Sequence, residues 1–398
     1  MGSSAFSNEQ IDLHWKPRVR DDIYFNDLFS TGNDGHYIVG SLNNDSQVLI
    51  HADKITVFQN LLKVLNGKNT VAELCKNGYG EIEELNKVIK LCYDKGLLTE
   101  CDEIKKFNEA ESISVKLFRH DFKEFSASAH NISKITVLAF RVLFLFVFLA
   151  TVYIVFKHLS CITKLTIRTA ISFRGKEWFN VVLGYILIQL LTLLMGVVHE
   201  IAHAVVSLKN DCQPKYISFV LYLGFMPMAY VKQKSIYSIN KEKILEILFA
   251  GVIMNFFAFM IFTDAFIYTN GNICRLLAIT NIHLALINLV PFSLTDGYYI
   301  FSILFKKPNL RMNFFRFLAY PKEIKKFDLK IRVCYIIFLA TIIICLNIEV
   351  VVLMNVISSR VGVGFYLLLI PLNIIYLLVL HEISKKKFLK CKNMRVRL

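Results

Sequence analysis

The chain has 398 residues, of which 55% are hydrophobic, and a formal net charge of +15. That apolar share exceeds what a soluble domain uses, so the composition excludes an ordinary soluble globular class and points to a membrane protein. Nine cysteines without a C-x-x-C pair argue against a disulfide framework or a thiolate zinc site.

Residues 15–104 read as a small cytoplasmic α/β domain. Tyr37–Val39 and Gln47–Ile50 flank an Asn/Asp/Ser-rich stretch and predict a β-hairpin. Asp53 precedes a helix with Ile55, Phe58, Leu61, Leu62 and Leu65 on one face. Thr70-Val71-Ala72-Glu73 is a capping box that opens a second, short helix. A third helix carries Ile82, Leu85, Val88, Ile89 and Cys92 on one face, and Gly96 closes it. Its Glu81, Glu83 and Glu84 are acidic, so nucleic acid is not the expected partner. This order resembles the winged-helix peptide-recognition element of ribosomal-peptide maturation systems. The resemblance rests on Leu65–Leu74 and on Tyr93–Leu98 and covers about 80 residues. It implies that the wing strand and adjoining helix of residues 37–66 hold a leader peptide as an added strand.

Residues 105–133 are polar and basic and read as a linker or membrane-surface segment. Residues 134–384 read as the membrane domain, and the whole chain as mainly α. A bilayer needs about 20 apolar residues per helix, which predicts about six spans: Ile135–Phe156, Phe179–Leu208, Ile244–Tyr268, Leu276–Phe305, Val333–Met354 and Val363–Ile383. Tyr216–Val231, broken by Gly224 and Pro227, is expected to be re-entrant or strand-like. The basic tail 385–398 and the basic loop between spans four and five place both termini in the cytoplasm of a bacterial-type cell membrane. The loop Lys157–Lys176, also basic, runs against that assignment.

The second span contains His199-Glu200-Ile201-Ala202-His203. Two histidines four apart share a helix face and can grip one Zn²⁺, and the adjacent Glu reaches the water it activates. Ionisable groups cost about 2.5–3.5 kcal/mol each near hydrocarbon on insertion scales, which makes a metal site the expectation and a packed polar cluster the alternative. A catalytic zinc takes a third protein ligand. Asp296 and His283 compete for that role. Asp296 is preferred, because it stands beside a helix break expected from Pro291 and Gly297, whereas His283 lies more than three helical turns earlier.

These two segments resemble the motifs of the site-2 protease family of intramembrane metalloproteases. The first is His199–His203. The second is Asn288, Pro291, Asp296 and Gly297, with Thr295 where the family often has Leu. Between them stands Ala250-Gly251-Val252-Ile253-Met254-Asn255, with Val252 in place of a frequent Pro. The resemblance covers roughly residues 180–305. It implies a three-helix core in which His199, His203 and Asp296 hold zinc, Glu200 is the general base, and Asn255, Asn288 and Pro291 border the substrate. The expected substrate is a leader-bearing precursor peptide, with other peptide-maturation or export proteins as partners. The alternatives are a regulatory protease cutting a membrane-anchored regulator, or a non-proteolytic peptide-binding or export module.

Overall fold

A computed structural model describes residues 6–7, 10–31, 34–43, 47–99, 114–158, 178–222, 226–290, 295–308, 310–322 and 328–340, with single helical turns among residues 343–382. Pro291, Gly224, the loop after 158, most of the last two expected spans and the basic tail lie outside the described residues.

The N-terminal region begins with a two-stranded hairpin, β1 (Phe6–Ser7) and β2 (Gln10–Ile11). A three-stranded antiparallel sheet follows: β3 (Ile23–Thr31), β4 (Asp34–Ser41) and β5 (Gln47–His51), in the order β3-β4-β5. The hairpin read from sequence is β4–β5. β3 escaped that reading because Asn26-Asp27 interrupts its alternation. The register slips between Asn26 and Phe29, and Leu28 and Phe29 are both buried, as a bulge allows.

Three helices cover one face of this sheet: α1 (Ile55–Val64), α2 (Val71–Lys76) and α3 (Ile82–Asp94). The Thr70–Glu73 capping box is complete. Glu73 N–H donates to Thr70 Oγ1 at 3.2 Å, and Thr70 N–H to Glu73 Oε2 at 2.8 Å. Those bonds hold the Glu73 carboxyl below its usual range. Phe58, Leu61, Leu85, Ile89 and Cys92 pack with Val39 and Val48 of the sheet in one apolar core. Burial pushes the Cys92 thiol up to about 12, which leaves it an inert core group.

The other face of the sheet is buried too. Leu28, Phe29 and Ile38 pack against Ile244 and Ile303 of the membrane part. Asn26 Nδ2 donates to the carbonyls of Tyr237 and Ile239 at 2.8 and 3.0 Å. Ser235 Oγ donates to Leu42 O, and Lys306 Nζ to Ser30 O, both at 2.8 Å. The N-terminal domain is therefore docked on the membrane part.

Among the described residues, four helices are long and apolar enough to cross a bilayer: α4 (Ala127–Lys157), α5 (Trp178–Lys209), α6 (Lys241–Thr269) and α7 (Asn272–Leu289). On α4, with a mean hydropathy of 2.5, Ile135, Leu138, Val142, Phe146 and Phe156 are all exposed. An apolar face of that length in water would be an aggregation site, and lipid is its natural solvent. Arg141, Lys209 Nζ (2.5 Å) and Asn210 Nδ2 (2.9 Å) all bond the Glu246 carboxylate, which ties α4, α5 and α6 together at one level.

The run Leu276–Phe305 is interrupted where a helix break is expected: α7 ends at Leu289, and α8 (Asp296–Leu304) starts anew. The connector 105–133 is not merely a linker. It contains β6 (Ser114–Asp121), and α4 already begins at Ala127. β6 pairs with β7 (Pro214–Tyr222), which pairs with β8 (Met226–Gln233), in the order β6-β7-β8. The stretch expected to be strand-like is the β7–β8 hairpin. Beyond α8, α9 (Leu310–Ala319) packs through Phe314 and Phe317 against Tyr335 and Phe338.

Candidate metal centre

The centre is assembled where α5, α6 and α8 meet. α5 carries His199 and His203 one turn apart, and both rings are 4% exposed. α8 brings Asp296 as its first residue. Asp296 Oδ2 lies 3.1 Å from His199 Nε2 and 3.2 Å from His203 Nε2, and the two ring nitrogens are 3.1 Å apart. Four ligands around a tetrahedral zinc at about 2.0–2.1 Å stand about 3.3 Å from one another. The triangle of two imidazoles and one carboxylate matches one face of that tetrahedron and leaves the fourth position open. His199, Glu200 and His203 form a metal-competent cluster in their own right, with donor atoms within 4.8 Å of one another. His283 is not in that cluster.

The second ring nitrogens are fixed from α6. His203 Nδ1 is 2.6 Å from the Ile247 carbonyl, an obligate acceptor. Nδ1 therefore carries the proton, and Nε2 presents its lone pair to the triangle. His199 Nδ1 is 2.9 Å from the side-chain amide of Asn255, which is 1% exposed. As placed, Asn255 Nδ2 donates to His199 Nδ1; the isosteric flip of that amide would let its oxygen accept the Nδ1 proton and leave Nε2 free for a metal. Asn255 thus lies behind His199 in the core, not on a substrate surface.

Two glycines make the close approach possible. A Cβ on Gly251 would overlap the imidazole of His199 itself. A Cβ on Gly297 would overlap Leu289 O and stand 2.9 Å from Asn288 O, so Gly297 lets the start of α8 sit on the end of α7 and delivers Asp296. Ile247, Gly251 and Asn255 are spaced four apart and form one stripe of α6 facing His203 and His199. The sequence carried this signal, because the i, i+4, i+8 stripe answers the i, i+4 histidines on a neighbouring helix.

Glu200 stands beside the triangle, and its Oε2 accepts the Val231 N–H of β8 at 2.7 Å. This contact was not foreseen from sequence, since it joins segments 31 residues apart. Asn288 is half-buried near the end of α7, and its side chain makes no hydrogen bond among the described residues.

Comparison with protein-family models, curated proteins and solved structures finds no significant match to this chain. The functional reading therefore rests on the centre itself. From His203 to Lys209 is six residues, about 9 Å along a helix. The centre thus lies about that far from the polar Lys209–Glu246 level, at the end of the bundle where the N-terminal domain docks.

Proposed function

We propose that the protein is a membrane-embedded zinc endopeptidase of the site-2 protease kind, which hydrolyses a peptide bond in a leader-bearing precursor peptide. The observation that supports this most is the triangle of His199, His203 and Asp296, two imidazoles and one carboxylate, with the Glu200 carboxylate beside it. Such a donor set suits zinc and leaves a coordination position open, which is the arrangement of catalytic rather than structural sites. When bound, zinc supplies Lewis-acid polarisation of a carbonyl and lowers the pKa of water.

The chain's own residues supply the rest. Glu200 takes the proton from the attacking water and passes it to the leaving amide nitrogen. The Val231 N–H fixes the direction of that carboxylate, and Ile247 and Asn255 hold the two rings from behind. Asn288, with its amide uncommitted, is placed to donate to the substrate carbonyl. The N-terminal domain offers β5 as the outer strand of its sheet, an edge on which an extended leader adds as a further strand.

The test is Glu200→Gln in the full chain. Zinc content stays at the wild-type level, while processing of the precursor peptide falls by at least about 10²-fold. Near-normal processing by the variant removes Glu200 from its role.

A further inference from the structure

Between Lys134 and Lys157 of α4 the one charged residue is Arg141, in an otherwise apolar run. From Lys134 to Lys157 is 23 residues, about 34 Å along a helix. A bilayer's hydrocarbon core is about 30 Å thick, so the two lysines stand where the headgroups begin, at opposite ends of one span. Arg141 lies inside the run, and its side chain is 60% exposed. Leu138, Val142 and Leu145 around it are exposed as well, so it shares the lipid-facing surface of α4. A guanidinium facing hydrocarbon is costly, and long basic side chains relieve that cost by reaching back to the headgroups.

Arg141 does reach back. Helical side chains lean towards their N-terminus, and its guanidinium bonds the Glu246 carboxylate near the start of α6. Lys209, the last residue of α5, bonds the same oxygen at 2.5 Å. The adjacent Leu208 carbonyl accepts from His130 Nδ1, in the first turn of α4, at 2.8 Å. The guanidinium is thereby brought to the level of His130 and Lys134. Lys134 and Arg141 are seven residues apart, two turns, and share one face. That face borders Ser133 and Val137, which are buried where α4 packs on the bundle. The two basic residues thus line a seam between helices that is open to lipid.

At this level cations outnumber carboxylates. Arg141 and Lys209 share Glu246. Lys243 stands 3.7 Å from Asp211. Lys241 and Glu242, at the start of α6, cancel. Lys134 is exposed and pairs with no carboxylate among the described residues. The surplus calls for an anion that accepts several hydrogen bonds and carries apolar chains to lie on Leu138, Val142 and Leu145. A phospholipid has both parts, and its phosphate suits Arg and Lys. A zwitterionic headgroup brings its own cation, which the surplus repels; a headgroup with net negative charge does not.

We propose that Lys134 and Arg141, backed by Lys209, form a site for the headgroup phosphate of one anionic phospholipid at the seam of α4 and α5. The site is independent of the peptidase reading and of the metal. In the test, the full chain in neutral detergent is titrated with phosphatidylglycerol, phosphatidylcholine and inorganic phosphate, and native mass spectrometry counts lipid adducts per chain. One phosphatidylglycerol binds at least about tenfold more tightly than phosphatidylcholine, and inorganic phosphate does not displace it. Lys134→Gln weakens its binding about fivefold, the scale of one basic residue at an anionic membrane surface. Lys157→Gln, at the other end of α4, leaves it unchanged. Arg141→Gln weakens it at least as much as Lys134→Gln; because Arg141 also ties α4 to α6, Lys134→Gln, which breaks no ion pair, decides if that variant does not fold. Equal binding of the two lipids, a preference that survives Lys134→Gln, or an equal loss in Lys157→Gln overturns the site. Displacement by inorganic phosphate overturns its assignment to a lipid.

Discussion

Replacing Gly251 by Ala separates two physical accounts of the same position. On helix propensity alone, Gly→Ala within a helix stabilises by about 0.5–1 kcal/mol. In this structure the added Cβ falls on the His199 imidazole, and all three atoms nearest to it belong to that ring. The ring is held between Asn255 and the metal triangle. It cannot turn aside without leaving one or the other. Inserting a methyl into such a packed site costs about 1–3 kcal/mol. Subtracting the propensity gain leaves a net loss of about 0–2.5 kcal/mol in the metal-free protein. The metal adds a second effect: displacing a ligand's support costs about 10- to 100-fold in metal affinity. Gly196, on the histidine helix itself, is the control, because a Cβ there meets nothing within 4 Å. The assay is thermal unfolding of purified full-length protein, with and without zinc, together with a competitive chelator titration. Gly251→Ala unfolds earlier and binds zinc at least about tenfold more weakly, whereas Gly196→Ala unfolds at the same temperature or slightly later. A Gly251→Ala protein with wild-type zinc affinity and raised stability refutes the proposed packing.

Asp296→Ala removes one corner of the triangle and lowers bound zinc strongly, whereas His283→Ala leaves it near the wild-type level; metal analysis of the two purified variants decides between them. Asn255→Ala leaves all three donor atoms in place but frees the His199 ring, so zinc affinity falls by about 10- to 100-fold while zinc at saturation stays one per chain; the same titration reads both. If both termini lie in the cytoplasm, as the charge bias predicts, tags at residue 1 and at the C-terminus become accessible only when cells are permeabilised; tags on opposite sides would mean a different number of spans.

Much of this was legible in the sequence wherever the signal is local. The three N-terminal helices follow from apolar spacing and a capping box. The histidine pair follows from its spacing within an apolar run. The break between Leu289 and Asp296 follows from a proline and a glycine. The misses have physical causes as well. β3 was hidden by the bulge at Asn26–Phe29, which puts two apolar residues in succession where alternation is expected. β6 was hidden by Lys116 and Arg119, charges that suit the edge strand of a sheet but read as a solvated connector. Asn255, expected at the substrate, is buried against His199. Telling the two apart needs the facing helix, because the same amide on a different side of α6 would border a cleft.

The least legible feature was the docking of the N-terminal sheet, and it changes how the two parts can cooperate. From sequence, residues 105–133 suggested a tethered domain whose benefit is effective concentration, in the millimolar range for short flexible linkers. Ile38 and Val39, adjacent on β4, are buried in opposite directions: Val39 in the domain's own core and Ile38 against Ile244 and Ile303. A strand buried on both faces has no freedom to swing. Asn26 and Lys306 add directional bonds across the same junction. The helix reached by that contact is α8, whose first residue is Asp296 of the candidate metal centre. On the proposed peptidase reading, a peptide held on β5 would be measured out against the metal centre by a fixed frame rather than by diffusion on a tether. Under that arrangement the position of the cut is set by the distance between β5 and Asp296, and a leader moved in register by inserted residues shifts the cut by the same number of residues.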